Sequence, residues 1–440
     1  MNIRSFSHSV RIIICVKEYV RDNIIGNVIF SFYIMPKKFV LVILHRELRL
    51  QNNPAILHGY KIAVARGLKL IICFRFDFRQ ISPEQNPYFG INSFIFMLQC
   101  LRELADVVHL IPPNRSLPFK DSAVIVTTAD YTPFARARLN EYRSHGIPVI
   151  TLHQHIVSHP DLIRTRAGGV FEMNFAQFAS AADKKMSDEN MNNRISPKFV
   201  KPNKKKNLQL LATLEKKHIN DFSAEQTGGR KSALKTIAAV TKWKNGYYGK
   251  IRDTLSNNTT RLSPYMKFGC LGLGELFYSF KLDPEILRQF LWRSYYYYLS
   301  YHFPHEVWDL GRFPGALKKT WTGEADLQKM LCAKSGVPLI DAGIIQLKTT
   351  GFVHNRVRMV TADYCKRKNI NWKKMEMVYA NYLTDYDPAV NRLNWMYMNG
   401  QWHWQFRTRY FNPELQVKKY DPEHKYLATH LGRRDTPHNK

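Results

Sequence analysis

The residues best suited to chemistry lie between Thr349 and Tyr397. This stretch places arginines, an Asn-His pair, two carboxylates and two tryptophans in sequence that otherwise resembles buried helix. Polar groups this dense in an apolar helix need hydrogen-bonding or charged partners. The segment Asp385–Pro388 is typical of a helix start in which Asp387 caps free backbone N–H groups. Pro388 would occupy the first turn, where its missing N–H costs nothing. Asn391 and Trp395 follow at one-turn intervals, so we predict that one helix carries these groups.

A second candidate site is the segment 258–264, Asn-Thr-Thr-Arg-Leu-Ser-Pro. It places hydroxyl groups and free backbone N–H groups directly before an apolar helix that starts near Pro264. A helix N-terminus with hydroxyl neighbours is a natural binding site for a pyrophosphate. Ser-Pro caps are nevertheless common and usually structural, so this pattern alone is weak support for a site.

The charge of the chain favours a polyanionic partner. Its 65 lysines and arginines exceed its 35 aspartates and glutamates, which gives a formal net charge of +30 at pH 7. An excess of this size favours nucleic acid first and an acidic membrane surface second. The six cysteines are scattered, with no CxxC pair and no Cys/His cluster at zinc spacing, so we predict no metal site. This pattern is typical of buried, unpaired thiols. It predicts a reducing compartment, the nucleus or the cytoplasm.

The order of apolar runs predicts an α/β domain followed by an all-α domain. Phe39–Leu44 suits a central parallel strand, and four further strand-like runs alternate with helical stretches up to Leu152, as in a doubly wound, Rossmann-like sheet. From about Leu208 onward, helical patterns dominate. The predicted divisions are an N-terminal extension (1–34), an α/β domain (35–165), a linker (166–215) and a helical domain (216–440). The apolar run Ile24–Met35 is too short to span a bilayer, and no clear cleavage site follows it.

Several segments together resemble one family. TTGFVHNRVRMVTADY, TDYDPAVNRLNW, GVPLIDAGIIQL, TTRLSPYMKFGCL and FLWRSYYYYL are similar, in order and spacing, to the flavin-binding half of the DNA photolyase/cryptochrome family. FVLVILHRELRLQNNPAIL resembles its opening strand and loop, so the resemblance covers nearly all of the chain from Met35 onward. The motifs are most similar to those of cyclobutane pyrimidine dimer photolyases, and the scattered cysteines argue against the iron–sulfur branch.

The resemblance implies a monomeric flavoenzyme that repairs DNA with light. Excited reduced FAD would pass an electron to a flipped-out cyclobutane dimer, the ring would split, and the electron would return. In the family, Asp387 would accept from flavin N–H and ribose hydroxyl groups, an Arg358–Asp385 pair would stabilise reduced flavin, and Asn391 would face flavin N5. The full set of implied FAD-binding residues is Tyr248, Thr259, Thr260, Arg261, Leu262, Ser263, Arg293, Asn355, Arg358, Asp385, Asp387 and Asn391.

The resemblance also implies a DNA face and an electron relay. Trp292 is similar to the tryptophan against which the dimer packs. The implied residues that face DNA or the dimer are Arg252, Gln289, Trp292, Asn355, Arg356, Met359, Tyr397, Arg409 and Gln416. Trp395, Trp372 and, with a one-residue offset, Trp321 fall at the family's electron-relay positions, although each could equally be a core tryptophan.

Departures from the family pattern leave alternatives open. Gln289 stands where dimer photolyases usually have glutamate, Tyr397 replaces a stacking tryptophan as in the cryptochrome-DASH branch, and Arg392-Leu393-Asn394 replaces a glycine-containing turn. One alternative is therefore a cryptochrome or a DASH-type, single-strand-specific protein. Another is a non-catalytic nucleic-acid-binding protein whose flavin pocket has decayed. Ala135 stands where folate-binding members have a glutamate, so no antenna chromophore is assigned.

Overall fold

Five short runs of apolar residues form one parallel sheet, as the sequence predicts. The strand order is β3-β2-β1-β4-β5, so the chain crosses from one side of the central β1 to the other after β3. Every residue of β1 is buried, because helices cover both faces of such a sheet. The strands are β1 (Phe39–Leu44), β2 (Lys69–Arg75), β3 (His109–Ile111), β4 (Ser122–Thr128) and β5 (Val149–Leu152). The α/β fold class is confirmed for this part of the chain.

The computed structural model describes residues 39–82, 85–171, 175–183, 199–216, 223–256, 259–316, 320–402 and 410–432. These residues belong to one compact unit, Lys37–Lys440. The predicted extension 1–34 and Arg409 lie outside the described residues. The domain boundaries at 165 and 215 stay predictions. Within the described part of the chain, no helix is both long enough and apolar enough to cross a membrane.

Helices accompany the sheet and then dominate the chain, which confirms the predicted helical second half. The helices up to the predicted linker are α1 (Pro54–Ala65), α2 (Phe78–Ile81), α3 (Ile91–Arg102) and α4 (Pro133–Ser144). The predicted linker contains α5 (Phe175–Asp183) and α6 (Lys204–Lys216). Its Lys204–Lys206 run is exposed, but α6 buries Leu211, so residues 204–216 are helical rather than extended.

The helical part continues with α7 (Arg230–Val240), α8 (Tyr247–Ile251), α9 (Ser263–Lys267), α10 (Leu273–Ser279) and α11 (Pro284–His302). A short π-helix, His305–Leu310, follows α11. The chain then forms α12 (Glu324–Leu331), α13 (Pro338–Thr350), α14 (Asn355–Arg367), α15 (Trp372–Tyr382), α16 (Pro388–Met398), α17 (Pro413–Tyr420) and α18 (Lys425–Leu431). Tyr295–Tyr298 of α11 are all buried, so they pack in the core as their apolar context suggests.

The prediction for the cysteines needs one correction. Cys73, Cys100, Cys270 and Cys365 are buried thiols, as expected, but Cys332 is exposed, and Cys15 lies outside the described residues. Cys332 is the C-cap residue of α12, an amphipathic helix that buries Leu327 and Met330 instead.

Candidate functional site

Asp385 lies in the turn between α15 and α16 and is 8% exposed. Arg358 on α14 donates from one amino group to both carboxylate oxygens at 3.0 Å, and the Ser263 hydroxyl donates to Oδ2 at 2.7 Å. Burial alone would raise the pKa of Asp385. The charge of Arg358 and these hydrogen bonds outweigh burial and hold that pKa below its ordinary value. The predicted Arg358–Asp385 pair is therefore confirmed as a structural feature.

Asp387 stands at the N-cap position of α16, but its side chain makes no capping hydrogen bond. The prediction of a capping carboxylate is wrong, because stronger partners draw the side chain away from the helix. Arg293 lies 3.0 Å and Arg46 3.6 Å from Oδ2, and the Tyr297 hydroxyl donates to the same oxygen at 2.8 Å. Burial acts against ionisation, yet the two arginines and the tyrosine lower the pKa of Asp387 to about 2.

The other oxygen of Asp387, Oδ1, is buried and has no hydrogen-bond partner among the described residues, and the same holds for one amino group of Arg293. A buried carboxylate oxygen without a donor is costly unless a ligand supplies one. The ring N–H and the ribose hydroxyls of a flavin nucleotide are donors of the required kind. The residues present thus fit a flavin at this place.

Arg46 is a site residue that the sequence analysis did not single out. It follows β1, contacts Asp387, pairs with Asp130 at 3.3 Å and donates a hydrogen bond to the Tyr297 hydroxyl. Burial lowers the pKa of Arg46, but Asp130, Tyr297 and Asp387 together raise it well above its ordinary value. Arg46 and Asp130 follow the adjacent strands β1 and β4, where the order of the sheet reverses. That position, where open α/β sheets bind ligands, was the available signal.

Lys267 at the end of α9 is a second residue without a predicted role. It is 4% exposed, and its Nζ donates to the Ser93 hydroxyl at 2.6 Å and to the Thr384 carbonyl at 3.4 Å. Burial lowers the pKa of Lys267 to about 7. Since Thr384 precedes Asp385, this lysine places a charge that titrates near neutral pH beside the carboxylate segment.

The segment 259–263 leads into α9, which is only 5 residues long, so its helix dipole is small. Arg261 has a positive φ of 53°, stacks its guanidinium 3.7 Å from the centre of the Phe352 ring and pairs with Glu225 at 3.2 Å. Leu262 is buried in the core, so only its backbone can contact a ligand. Ser263 already uses its hydroxyl proton on Asp385. The hydroxyl donors that remain for a phosphate are those of Thr259 and Thr260.

A cavity of about 570 Å³ opens beside this segment. Thr259, Arg261 and His354 line it together with one face of α18.

Two further residues predicted to bind FAD lie outside the lining of this cavity. Asn391 lies one turn beyond Asp387, where it is buried and donates from Nδ2 to the Asp387 carbonyl at 3.0 Å. Tyr248 on α8 is partly buried, and burial raises its pKa to about 12, so it is a neutral phenol.

Comparisons with known proteins show which family the chain is similar to. Residues 286–435 match the family model described as the FAD binding domain of DNA photolyase. A deoxyribodipyrimidine photo-lyase of Alkalihalophilus pseudofirmus is 25% identical over 88% of this chain and 85% of its own length. The solved structure of an archaeal photolyase from Sulfolobus tokodaii with two FAD molecules is 26% identical, covers 91% of both chains and has a TM-score of 0.74.

The chain is similar to DNA photolyases and cryptochromes along most of its length, and residues 286–435 match the photolyase FAD-binding domain. The matched model names FAD, so the chain has an FAD-binding domain and FAD is its cofactor. The relatives also include a cryptochrome DASH of Idiomarina loihiensis, 23% identical over 89% of this chain and 92% of its own length. The comparisons therefore do not separate repair enzymes from cryptochromes.

Trp292, the tryptophan expected to stack on substrate in this family, has one face covered. The ring of Phe175 lies parallel to it, at an angle of 4° and 3.7 Å between centroids. The Arg288 guanidinium lies over the Phe175 ring, 5.1 Å from its centre. A base can therefore stack only on the other face of Trp292, whose plane is fixed by Phe175.

Two arginines expected to face DNA already have carboxylate partners. Arg252 pairs with Glu285 at 2.6 Å, and Arg356 pairs with Asp253 at 2.6 Å while lying over the ring of Tyr420. Both pairs are partly exposed, so they contribute little to stability and DNA phosphates can compete for the arginines.

The remaining residues predicted to face substrate are distributed over several helices. Asn355 is exposed and contacts the sulfur of Met359 at 3.7 Å, while Gln289 donates to the Glu285 carbonyl at 3.2 Å. Tyr397 packs edge-on against Trp402, with ring centroids 5.2 Å apart. Gln416 on α17 is only partly exposed.

The three predicted relay tryptophans differ in burial. Trp395 and Trp372 are 4% and 2% exposed, on the adjacent helices α16 and α15, whereas Trp321 is partly exposed. Arg392 does not disrupt this region, because α16 continues through 392–394. The Arg392 guanidinium forms a buried ion pair with Glu376 at 2.9 Å.

Proposed function

We propose that the protein is a deoxyribodipyrimidine photolyase that uses light and reduced FAD to split cyclobutane pyrimidine dimers in DNA. The observation that carries the proposal is the pair of buried carboxylates, Asp385 and Asp387, each held ionised by arginine. Burying an ion pair contributes little net stability. Two such pairs beside a carboxylate oxygen that has no hydrogen-bond donor therefore favour a ligand-binding role.

Three groups of residues would hold FAD. Asp387 offers its unpaired oxygen to N–H and hydroxyl donors, and Asn391 lies one turn further along α16. Arg358 supplies positive charge near Asp385, and Lys267 adds to it below about pH 7, which favours an anionic form of a bound group. The hydroxyls of Thr259 and Thr260 would bind the diphosphate. Bound FAD supplies the light-driven electron transfer, and the chain supplies binding, orientation and electrostatics.

The basic charge of the chain supports DNA as the partner. A formal charge of +30 favours binding to phosphates, and such binding weakens steeply with added salt. The face of Trp292 that Phe175 does not cover is suited to a flipped-out base, because stacking a base on an aromatic ring contributes about 1–3 kcal/mol. We expect the protein to act as a monomer.

The second candidate function is that of a DASH-type protein that repairs single-stranded DNA, or of a cryptochrome photoreceptor. Tyr397 in place of a tryptophan and the DASH relatives favour it. A decayed flavin pocket is less well supported, since the Asp385 and Asp387 ion pairs are complete.

The first test is binding by FAD-loaded protein to three DNAs: duplex with one dimer, the same duplex undamaged, and the single strand with the dimer. The proposal predicts tightest binding to the damaged duplex and loss of that preference in Trp292→Ala. The control is Trp243→Ala, at a tryptophan that packs edge-on against Tyr247 and has no predicted role. Equal binding to damaged and undamaged duplex would contradict it. A preference for the damaged single strand would favour the DASH-type function.

A further inference from the structure

Arg392 of α16 lies between two tryptophans. Its guanidinium is 5.6 Å from the centre of the Trp372 ring and 5.7 Å from that of Trp308. The two ring centroids can be no further apart than the sum of these distances, about 11.3 Å. Trp308 belongs to the π-helix His305–Leu310 and has no role so far.

Independent contacts hold the π-helix against the start of α15. An ideal Cβ built on Gly311, directly after the π-helix, would meet Cζ2 of Trp372 at 3.2 Å. The Lys373 ammonium reaches the Leu310 carbonyl at 3.5 Å, and Arg392 reaches the Trp308 carbonyl at 3.4 Å. The approach of Trp308 to Trp372 is thus fixed by packing and by hydrogen bonds.

The charges beside the Trp308 and Trp372 rings cancel. The Glu376 carboxylate is fully buried and pairs with Arg392, so the rings face a neutral ion pair rather than a lone positive charge. A lone guanidinium would oppose a positive charge on either indole, and its pairing removes most of that opposition. Trp308 is itself partly exposed, so a reductant in solution can reach it.

We propose that Trp308 is an electron donor to Trp372 and forms a second exit of the relay to the surface, besides Trp321. The inference rests on the proposed function, because the relay serves to reduce FAD. Bound oxidised FAD, once photoexcited, would supply the oxidant, and Trp372 would be left one electron short. One electron would then pass from the Trp308 indole to Trp372. An external thiolate would return an electron to Trp308 and become a thiyl radical.

The same geometry predicts that the oxidised Trp308 indole keeps its N–H proton. Nε1 of Trp308 is buried and has no hydrogen-bond partner among the described residues. With no acceptor in contact, the oxidised Trp308 indole keeps its proton and is a radical cation. Its absorption spectrum differs from that of a deprotonated tryptophan radical, which gives the donor a spectroscopic signature.

The test is light-driven reduction of FAD-loaded protein in the presence of a thiol, with time-resolved absorption to detect tryptophan radicals. The variants are Trp308→Phe, Trp321→Phe and both together, with Trp243→Phe as a control. Circular dichroism and FAD content establish that each variant is folded and loaded. We expect several-fold slower reduction in Trp308→Phe, a weaker radical-cation signal, and a further loss in the double variant.

Two results would overturn the inference. In one, Trp308→Phe reduces FAD as fast as wild type while Trp321→Phe alone abolishes reduction, so that Trp321 is the only exit. In the other, wild-type protein binds FAD but shows no light-driven reduction, so no relay operates. Protein that binds no FAD at all would instead contradict the proposed function, and the inference with it.

Discussion

The exchange Asp387→Asn perturbs the buried charge cluster with little change of shape. It removes one negative charge and leaves Arg46 and Arg293 buried beside a neutral amide. A pKa of about 2 for Asp387, against about 3.9 in an unfolded chain, corresponds to about 2.6 kcal/mol of stability at pH 7. Removing one partner of a buried pair generally costs about 3–5 kcal/mol. We therefore expect the unloaded variant to lose about 2.5–5 kcal/mol.

Urea unfolding of unloaded protein measures this loss, and its pH dependence tests the cause. Because the folded pKa of Asp387 lies below the unfolded value, its stabilisation is complete above about pH 5 and disappears as the pH falls toward 2. The difference between wild type and Asp387→Asn should therefore shrink in acid. Glu423→Gln, in an exposed pair with Lys425, is the control and should have no measurable effect. Equal stability of wild type and Asp387→Asn at pH 7 would refute the reasoning.

Two further predictions concern residues around the site. In the folded chain Lys267 loses its proton above about pH 7, whereas a lysine in the unfolded chain keeps its proton up to about pH 10.4. Because the unfolded state binds more protons between these pH values, Lys267 makes the free energy of unfolding rise with pH there. Lys267→Met should remove that rise in urea unfolding measured at several pH values, and an unchanged slope would contradict the assignment. Phe175→Leu removes the ring that fixes the plane of Trp292, at a cost of about 0.5–1.5 kcal/mol. Binding assays should show weaker affinity for dimer-containing DNA but unchanged affinity for undamaged DNA.

The fold was predictable because its signals are local. Buried parallel strands are continuous apolar runs, and Phe39–Leu44 shows this fully. The start of α16 was also predictable, since Pro388 occupies its first turn as expected. Such patterns depend on neighbours within a few residues, so a single sequence reveals them.

The partners of the site residues were much less predictable, because they come from distant parts of the chain. The Arg358–Asp385 pair was expected from the family resemblance. Arg46, which contacts Asp387, precedes it by hundreds of residues and belongs to the α/β part. Phe175 likewise reaches Trp292 from the predicted linker. Asp387 fits a capping pattern locally, but ion pairing outweighs a single hydrogen bond to the helix end.

The most direct test of the account is the loss of dimers from duplex DNA under blue and near-ultraviolet light. The protein would be loaded with FAD, photoreduced and compared with a dark control and with single-stranded DNA carrying the same dimers. The account predicts light-dependent repair of the duplex that is lost in Asn355→Ala and Trp292→Ala. Bound, reduced FAD with no repair of duplex dimers in light would contradict it.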